Sequence, residues 1–289
     1  MHPSIFLVRI LSIIVAATPQ TAKLNDKKES SQEILVKANT GILHKNIPNM
    51  VESITNDIRI DKPIARFVDP VCFEVHGLQD NANVVINNRV SNNARKVGIK
   101  VVDSRCSAKV FILFVENDHK ELIRLWKKRP RLFGSMSLLD IKKTLHEPEP
   151  VYSILKISSR NKDGMPIVDK VLNTYSVSQI DLPTILAIES SVIIINRNSI
   201  VGMSLIQIAD YLTTRSLLNS RTSREVTNDS ILGIFNVNSE DKPSEMTYFD
   251  REYIKGVYSG SGNTKSNIKL GQISRIISQG YRTNTISNK

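Results

Sequence analysis

The chain alternates short apolar runs with polar, turn-forming stretches. Residues 80–97 place apolar side chains at Val84, Val85, Val90, Ala94 and Val97, a helical spacing that Gly98 closes. "IKVVD" (99–103) and "KVFILFVEN" (109–117) are rich in β-branched residues and predict strands. "DHKELIRLWKKRP" predicts a short amphipathic helix, capped by Asp118, with Leu122, Leu125 and Trp126 on one side. "SMSLLDIKKTLHEPEP" predicts another, with Ser137 as N-cap, Leu138, Ile141 and Leu145 inward, and Pro148 and Pro150 as the stop. Residues 151–177 read as two strands joined around Asp163-Gly164. "SVIIINRN" has the unbroken apolar run of a central strand covered on both faces. A helix over 204–218 follows, then one over 246–258 and a last short one near 268–279.

This order predicts an α/β fold, a mixed sheet with helices packed on it, in one domain spanning 61–258. Residues 18–60 read as a partly disordered linker with one helix near 48–58. Residues 259–289, opening with the Gly/Ser-rich "SGSGNTKSN", read as a flexible extension carrying a short helix.

The N-terminus changes the picture of where the protein works. Arg9 precedes an apolar stretch, Ile10 to Ala17, that ends in small residues before polarity rises. That is the layout of a secretory signal over residues 1–17, cleaved after Ala17 or Ala22. Its apolar run of ~13 residues is short of the roughly 20 that a spanning helix needs. The expectation is an exported protein, periplasmic or extracellular, with no transmembrane segment in the mature chain.

Export in turn colours the cysteines. Cys72 and Cys106 are the only two, and an even count in an exported chain suggests one disulfide. It would close a loop of about 35 residues, worth about 3–4 kcal/mol in the chain-entropy model. A metal site built on Cys72, His76 and Cys106 is the rival reading, but it lacks a fourth ligand at recognisable spacing. A catalytic thiol has no neighbouring base in the sequence.

The formal net charge is +11, with one dense cluster, "WKKRPR" (126–131). Nucleic acid is an unlikely partner on sequence grounds, because no helix-turn-helix, zinc finger or aromatic-interleaved strand accompanies the charge. Two readings remain. The cluster is a solvated helix end facing the negative pole of the helix dipole, or Lys127, Lys128, Arg129 and Arg131 attract an anionic polymer or envelope surface.

Chemistry is sparse. There is no G-x-S-x-G, no G-x-x-x-x-G-K-[ST] and no G-x-G-x-x-G. On the 204–218 helix, Leu205, Ile208, Ala209 and Leu212 make one apolar face, and Ser204 with Gln207 has the form of a capping box. Asp210 can pair with Thr213 or Thr214, and Tyr211 can stack on Arg215 one turn on. A zinc-hydrolase helix needs two imidazoles four residues apart with a carboxylate between. Beyond the signal, His44, His76, His119 and His146 supply no such pair. Thr247 and Asp250 form an N-cap pair at the next helix.

The stretches "RFVDPVCFEVHGL", "KVFILFVEND", "KKRPRLFG", "EPEPVYSILK", "SVIIINRNSIVGMSLIQIADYLTTRSLL", "ILGIF" and "MTYFDREYIKGVY" together resemble a family of secreted bacterial proteins of unknown function, over roughly residues 65–258. That family is distantly similar to predicted lipoproteins whose corresponding helix carries an E-E-x-x-Q or His-Glu-like pattern. "TNDSILGIF" (227–235) and "MTYFD" (246–250) stand here in the matching order. The resemblance implies a zincin-like outline, with Gln207, Ile208 and Tyr211 at the positions of ligand, general base and ligand. Ile208 has no proton acceptor, and Gln207 and Tyr211 are poor zinc ligands, so no metal, cofactor or catalytic residue carries over. What it implies is a non-catalytic binding or assembly protein, with a cleft beside Gln207, Asp210, Tyr211 and Arg215 as the candidate site. A hydrolase built on Asp210 and Asp250 is the alternative enzymatic reading.

Overall fold

The computed structural model of the chain describes residues 40–56, 62–103, 105–167, 178, 180–220, 229–236 and 242–287. The expected signal segment and its cleavage sites lie outside these residues, as does most of the second strand expected before residue 177.

A four-stranded mixed sheet runs β1-β2-β4-β3, with β1 at Phe73–His76, β2 at Val110–Val115, β3 at Val151–Asn161 and β4 at Thr184–Asn196. β1, β2 and β4 are parallel neighbours, and β3 pairs antiparallel with β4. The α/β expectation holds, with β4 central between β2 and β3. The Asp163-Gly164 turn is present, with Arg160 bridging Pro166, but the long partner of β3 is β4. "IKVVD" pairs at one point only, Val101 with Val71.

The unbroken apolar run of β4 is explained by its two faces. Ile193 and Ile195 enter a large core with Val110, Ile112 and Phe114 of β2. Val192 and Ile194 enter a smaller core with Leu122, Phe133 and Ile141. The large core is built by α1 (Thr40–Ile54), α2 (Asp80–Lys96), α5 (Leu205–Leu217), α6 (Tyr248–Tyr258) and α7 (Ser266–Ser287). The smaller one is built by α3 (Asp118–Lys128), a 3₁₀ turn at Pro130–Phe133 and α4 (Leu138–His146).

Cap chemistry fixes several helix starts. The side chains of Ser137, Ser204 and Thr247 each accept a hydrogen bond from the backbone N–H three residues on. At α3 the cap is Asn117 rather than Asp118, its side chain accepting from Lys120 N at 2.8 Å. Gly77 follows β1 at φ +102, and a Cβ there would sit 1.9 Å from the Phe114 carbonyl oxygen, so only glycine lets β1 end against β2.

Both ends of the domain differ from the expected bounds. Ile47, Val51 and Ile54 of α1 are buried, so part of the stretch read as linker belongs to the core. So does α7, through Leu270, Ile273 and Ile277. The "SGSGN" stretch is pinned. Arg66 donates to the carbonyls of Val257, Tyr258, Ser259 and Gly260 at 3.1–3.4 Å, closing the C-terminus of α6. Asn263 exchanges two hydrogen bonds with the backbone of Leu182. Cys72, at the start of β1, is bonded to Cys106 across a sequence separation of 34. No described helix is long and apolar enough to cross a membrane.

Candidate functional site

The expected cleft on α5 is filled. Asp210 is fully buried and its two oxygens are saturated. Arg89 donates to both, Nε to Oδ1 and Nη2 to Oδ2, at 2.7 Å each. Asn93 adds a bond to Oδ1 at 2.6 Å and the Met246 amide one to Oδ2 at 2.7 Å. Four donors occupy the roughly four lone-pair positions of a carboxylate. Thr214 reaches only the Asp210 carbonyl, at 3.1 Å, and Thr213 takes a bond from Asn93. The expected side-chain pairing with Asp210 does not form, because Arg89 brings a full charge and a planar fork that a hydroxyl cannot match.

The other three residues part company. Gln207 receives the Ser204 cap at its amide, but its side chain donates to the Pro243 carbonyl at 2.6 Å instead of closing the box. Tyr211 is buried edge-on against Phe235, ring centroids 4.9 Å apart, and burial pushes its phenol up to about 12. Arg215 turns away to the Ser220 hydroxyl at 3.0 Å and the Ser220 carbonyl, with its Nε unpartnered. Gln207 and Asp210 thus act together, both gripping the 243–246 segment, while Tyr211 and Arg215 do not stack.

Asp250 is likewise fully buried. It accepts from Ser230 Oγ at 2.5 Å, Ile231 N at 2.8 Å, Thr247 N at 3.0 Å and Thr247 Oγ1 at 2.8 Å. Burial pushes its carboxyl up, against the pull of these four donors. Neither carboxylate faces an open space, so this region ties α2, α5 and α6 to the chain before α6. Among the described residues no three His, Cys, Asp or Glu side chains gather in the manner of a metal site.

A charged cluster that the sequence reading missed lies along β3 and β4. The Arg160 guanidinium bridges Asp69, at 2.9 and 3.1 Å, and Glu189, at 2.9 Å. Lys109 adds a 2.8 Å bond to Asp69, and Ser158 donates to Glu189. Arg160 and Lys109 hold the Asp69 carboxyl down at about 2. Each charge here has its opposite, which suits a clamp better than a site.

The lobe of α3 and α4 is different. Trp126 meets Phe133 edge-on at 5.2 Å, and this small core fixes the turn between the two helices. Around it Lys120, Lys127, Lys128, Arg129, Arg131 and Lys142 are exposed, with no carboxylate partner among the described residues. Arg124 and Lys143 are the ones neutralised, by Glu121 and Glu147. Leu138 and Leu139, at the first turn of α4, are 74% and 79% exposed. Leu138 was expected inward, on the side of Ile141. It overhangs because the core beneath α4 reaches only Ile141 and Leu145, leaving the first turn uncovered.

Compared with known protein families, characterised proteins and solved structures, the chain shows no match.

Proposed function

We propose that the protein is an exported, non-catalytic binding protein that docks on anionic lipid surfaces through the α3–α4 lobe. The observation that carries this reading is the meeting of two adjacent exposed leucines with six exposed cations that lack a carboxylate partner, on one small lobe. Each part has a job at such a surface. A cation held near anionic headgroups contributes about 1 kcal/mol, and a leucine withdrawn from water about 1.5–3 kcal/mol. The cations supply attraction at a distance, screened beyond about 10 Å in ordinary salt, and the leucines supply a salt-resistant contact once docked. An anionic polymer would use the cations and leave the leucines idle, which is why a lipid surface is the better fit. The zincin-like resemblance of the sequence stays part of this proposal, as a scaffold whose metal-helix position is occupied by Gln207, Ile208 and Tyr211.

Vesicle co-sedimentation tests it. Vesicles containing phosphatidylglycerol should carry the protein down, and pure phosphatidylcholine vesicles should not. Binding should weaken with added salt, fall with Leu138→Ser plus Leu139→Ser, and be lost on reversing Lys127, Lys128, Arg129 and Arg131. Retention on heparin with no vesicle binding would instead assign the lobe to anionic polymers.

A further inference from the structure

Helices α1 and α7 leave an open groove of about 640 Å³ between them, lined among others by Pro48, Val51, Leu270, Gly271, Arg275 and Arg282. The volume falls within the range of about 300–1,000 Å³ usual for small-molecule sites.

Each helix contributes to the lining a residue that a helix interior disfavours. Pro48 lies inside α1, where it cannot donate to the carbonyl four residues back. Gly271 lies inside α7 and has no side chain to order. Interior glycines usually answer to a close neighbour. Gly256 of α6 does, since a Cβ there would meet Ile273 Cγ1 at 2.6 Å, and so does Gly280, where one would meet the Tyr248 hydroxyl at 1.6 Å. Gly271 does not: nothing lies within 4 Å of the place its Cβ would take. Its bare backbone serves the groove, which a side chain would fill.

The lining is two-sided in chemistry. Val51 and Leu270 form an apolar floor. Arg275 and Arg282 are exposed and have no carboxylate within ion-pair distance among the described residues, although Glu52 also lines the groove. We propose that the groove binds a single-chain anionic amphiphile of the fatty-acid class, its methylenes over Val51, Leu270 and Gly271 and its carboxylate on Arg275 or Arg282. The charge decides the class, because the two guanidinium groups outnumber the single lining carboxylate, Glu52, and a carboxylate headgroup gains a charge-assisted hydrogen bond that a neutral one lacks. The groove belongs to the large core and uses none of the α3–α4 lobe, so this inference stands apart from vesicle docking.

Titration calorimetry of the full chain with laurate, and with dodecanol as the neutral counterpart, is the test. Laurate should bind saturably, one per chain, and at least about tenfold more tightly than dodecanol, the worth of one charge-assisted contact. Gly271→Leu should abolish laurate binding while leaving vesicle docking unchanged. Gly271→Ala, which favours the helix, should raise the melting temperature yet weaken laurate. Arg275→Glu or Arg282→Glu should erase the preference for laurate over dodecanol. No saturable laurate binding, or binding indifferent to Gly271→Leu, overturns the proposal. Laurate-insensitive self-association that Gly271→Leu abolishes overturns it too, by assigning the groove to a second copy.

Discussion

Asp210 and Asp250, on α5 and α6, accept the amide hydrogens of two consecutive residues, Met246 at 2.7 Å and Thr247 at 3.0 Å. Two buried carboxylates therefore hold two successive peptide units just before α6 begins. They do so with different company. Asp210 faces the Arg89 guanidinium, whereas the donors on Asp250 are uncharged hydroxyls and amides. A pair of acids that each spend their lone pairs on the fold has none left to polarise water, which argues against a hydrolase built on them.

The first consequence concerns stability. Asp210→Ala leaves the partly buried Arg89 without its counterion and the Met246 amide without an acceptor. Breaking a buried pair from one side costs about 3–5 kcal/mol. Urea unfolding should show a loss of that order, and a loss below about 1 kcal/mol would contradict the clamp.

Asp250→Asn should cost less, about 1–3 kcal/mol. With the amide oxygen in the place of Oδ2, the Ile231 and Thr247 N–H groups and the Thr247 hydroxyl keep their acceptor. The amide nitrogen then takes the place of Oδ1, where only Ser230 points at it, and that hydroxyl can reverse and accept; the cost is the loss of the charge behind the remaining bonds. Asp250→Ser, which removes both oxygens, should cost more than Asp250→Asn in the same denaturation experiment.

Much of the frame was legible because its causes are local. Ser137, Ser204 and Thr247 cap helices from three residues away, and the β4 run declares burial on both faces. The partners of Asp210 were not legible, since Arg89 and Asn93 lie 121 and 117 residues away. Arg160 and Asp69 are 91 residues apart, and neither stands in a motif. α1 hid behind Pro48, and α7 behind a polar composition in which Ile273 and Ile277 carry the burial. The overhang of Leu138 depends on how far a neighbouring core extends, which periodicity along one helix does not encode.

The disulfide is expected to be worth about 3–4 kcal/mol, from the loop of 34 residues that it closes in the unfolded chain. Cys72→Ser with Cys106→Ser should lower stability by that amount in urea while leaving far-ultraviolet circular dichroism unchanged. Each cysteine lies at the margin of β1 rather than within the sheet's centre, so the secondary structure survives.

Gly77→Ala should be among the most damaging single changes. Alanine at positive φ costs about 1–2 kcal/mol, and here the added carbon would also press on the backbone of Phe114. β1 must then shift from β2, adding about 1–3 kcal/mol of overpacking. Gly98→Ala, at φ +87 but with nothing near its Cβ, isolates the conformational part. The difference between the two in thermal unfolding measures the clash.

Acid should find the Asp69 cluster before it finds the apolar core. The Asp69 carboxyl is held down at about 2 by the Arg160 and Lys109 hydrogen bonds. Glu189 is also lowered: burial opposes this, but Arg160 and Ser158 outweigh it. A carboxylate whose folded value lies below its unfolded one, about 4, makes the unfolded chain the better proton binder. Its stabilisation is therefore complete above about pH 4 and is lost as the pH falls toward 2. Because Asp69 is two-fifths exposed, solvent screens part of the effect, and high salt should shrink it further. The check is the urea midpoint measured from pH 6 down to pH 2, for the native chain and for Asp69→Asn. The native midpoint should fall through that acid window, and the Asn variant should start lower and fall less. Parallel curves would mean that the cluster contributes no linkage and that acid acts elsewhere.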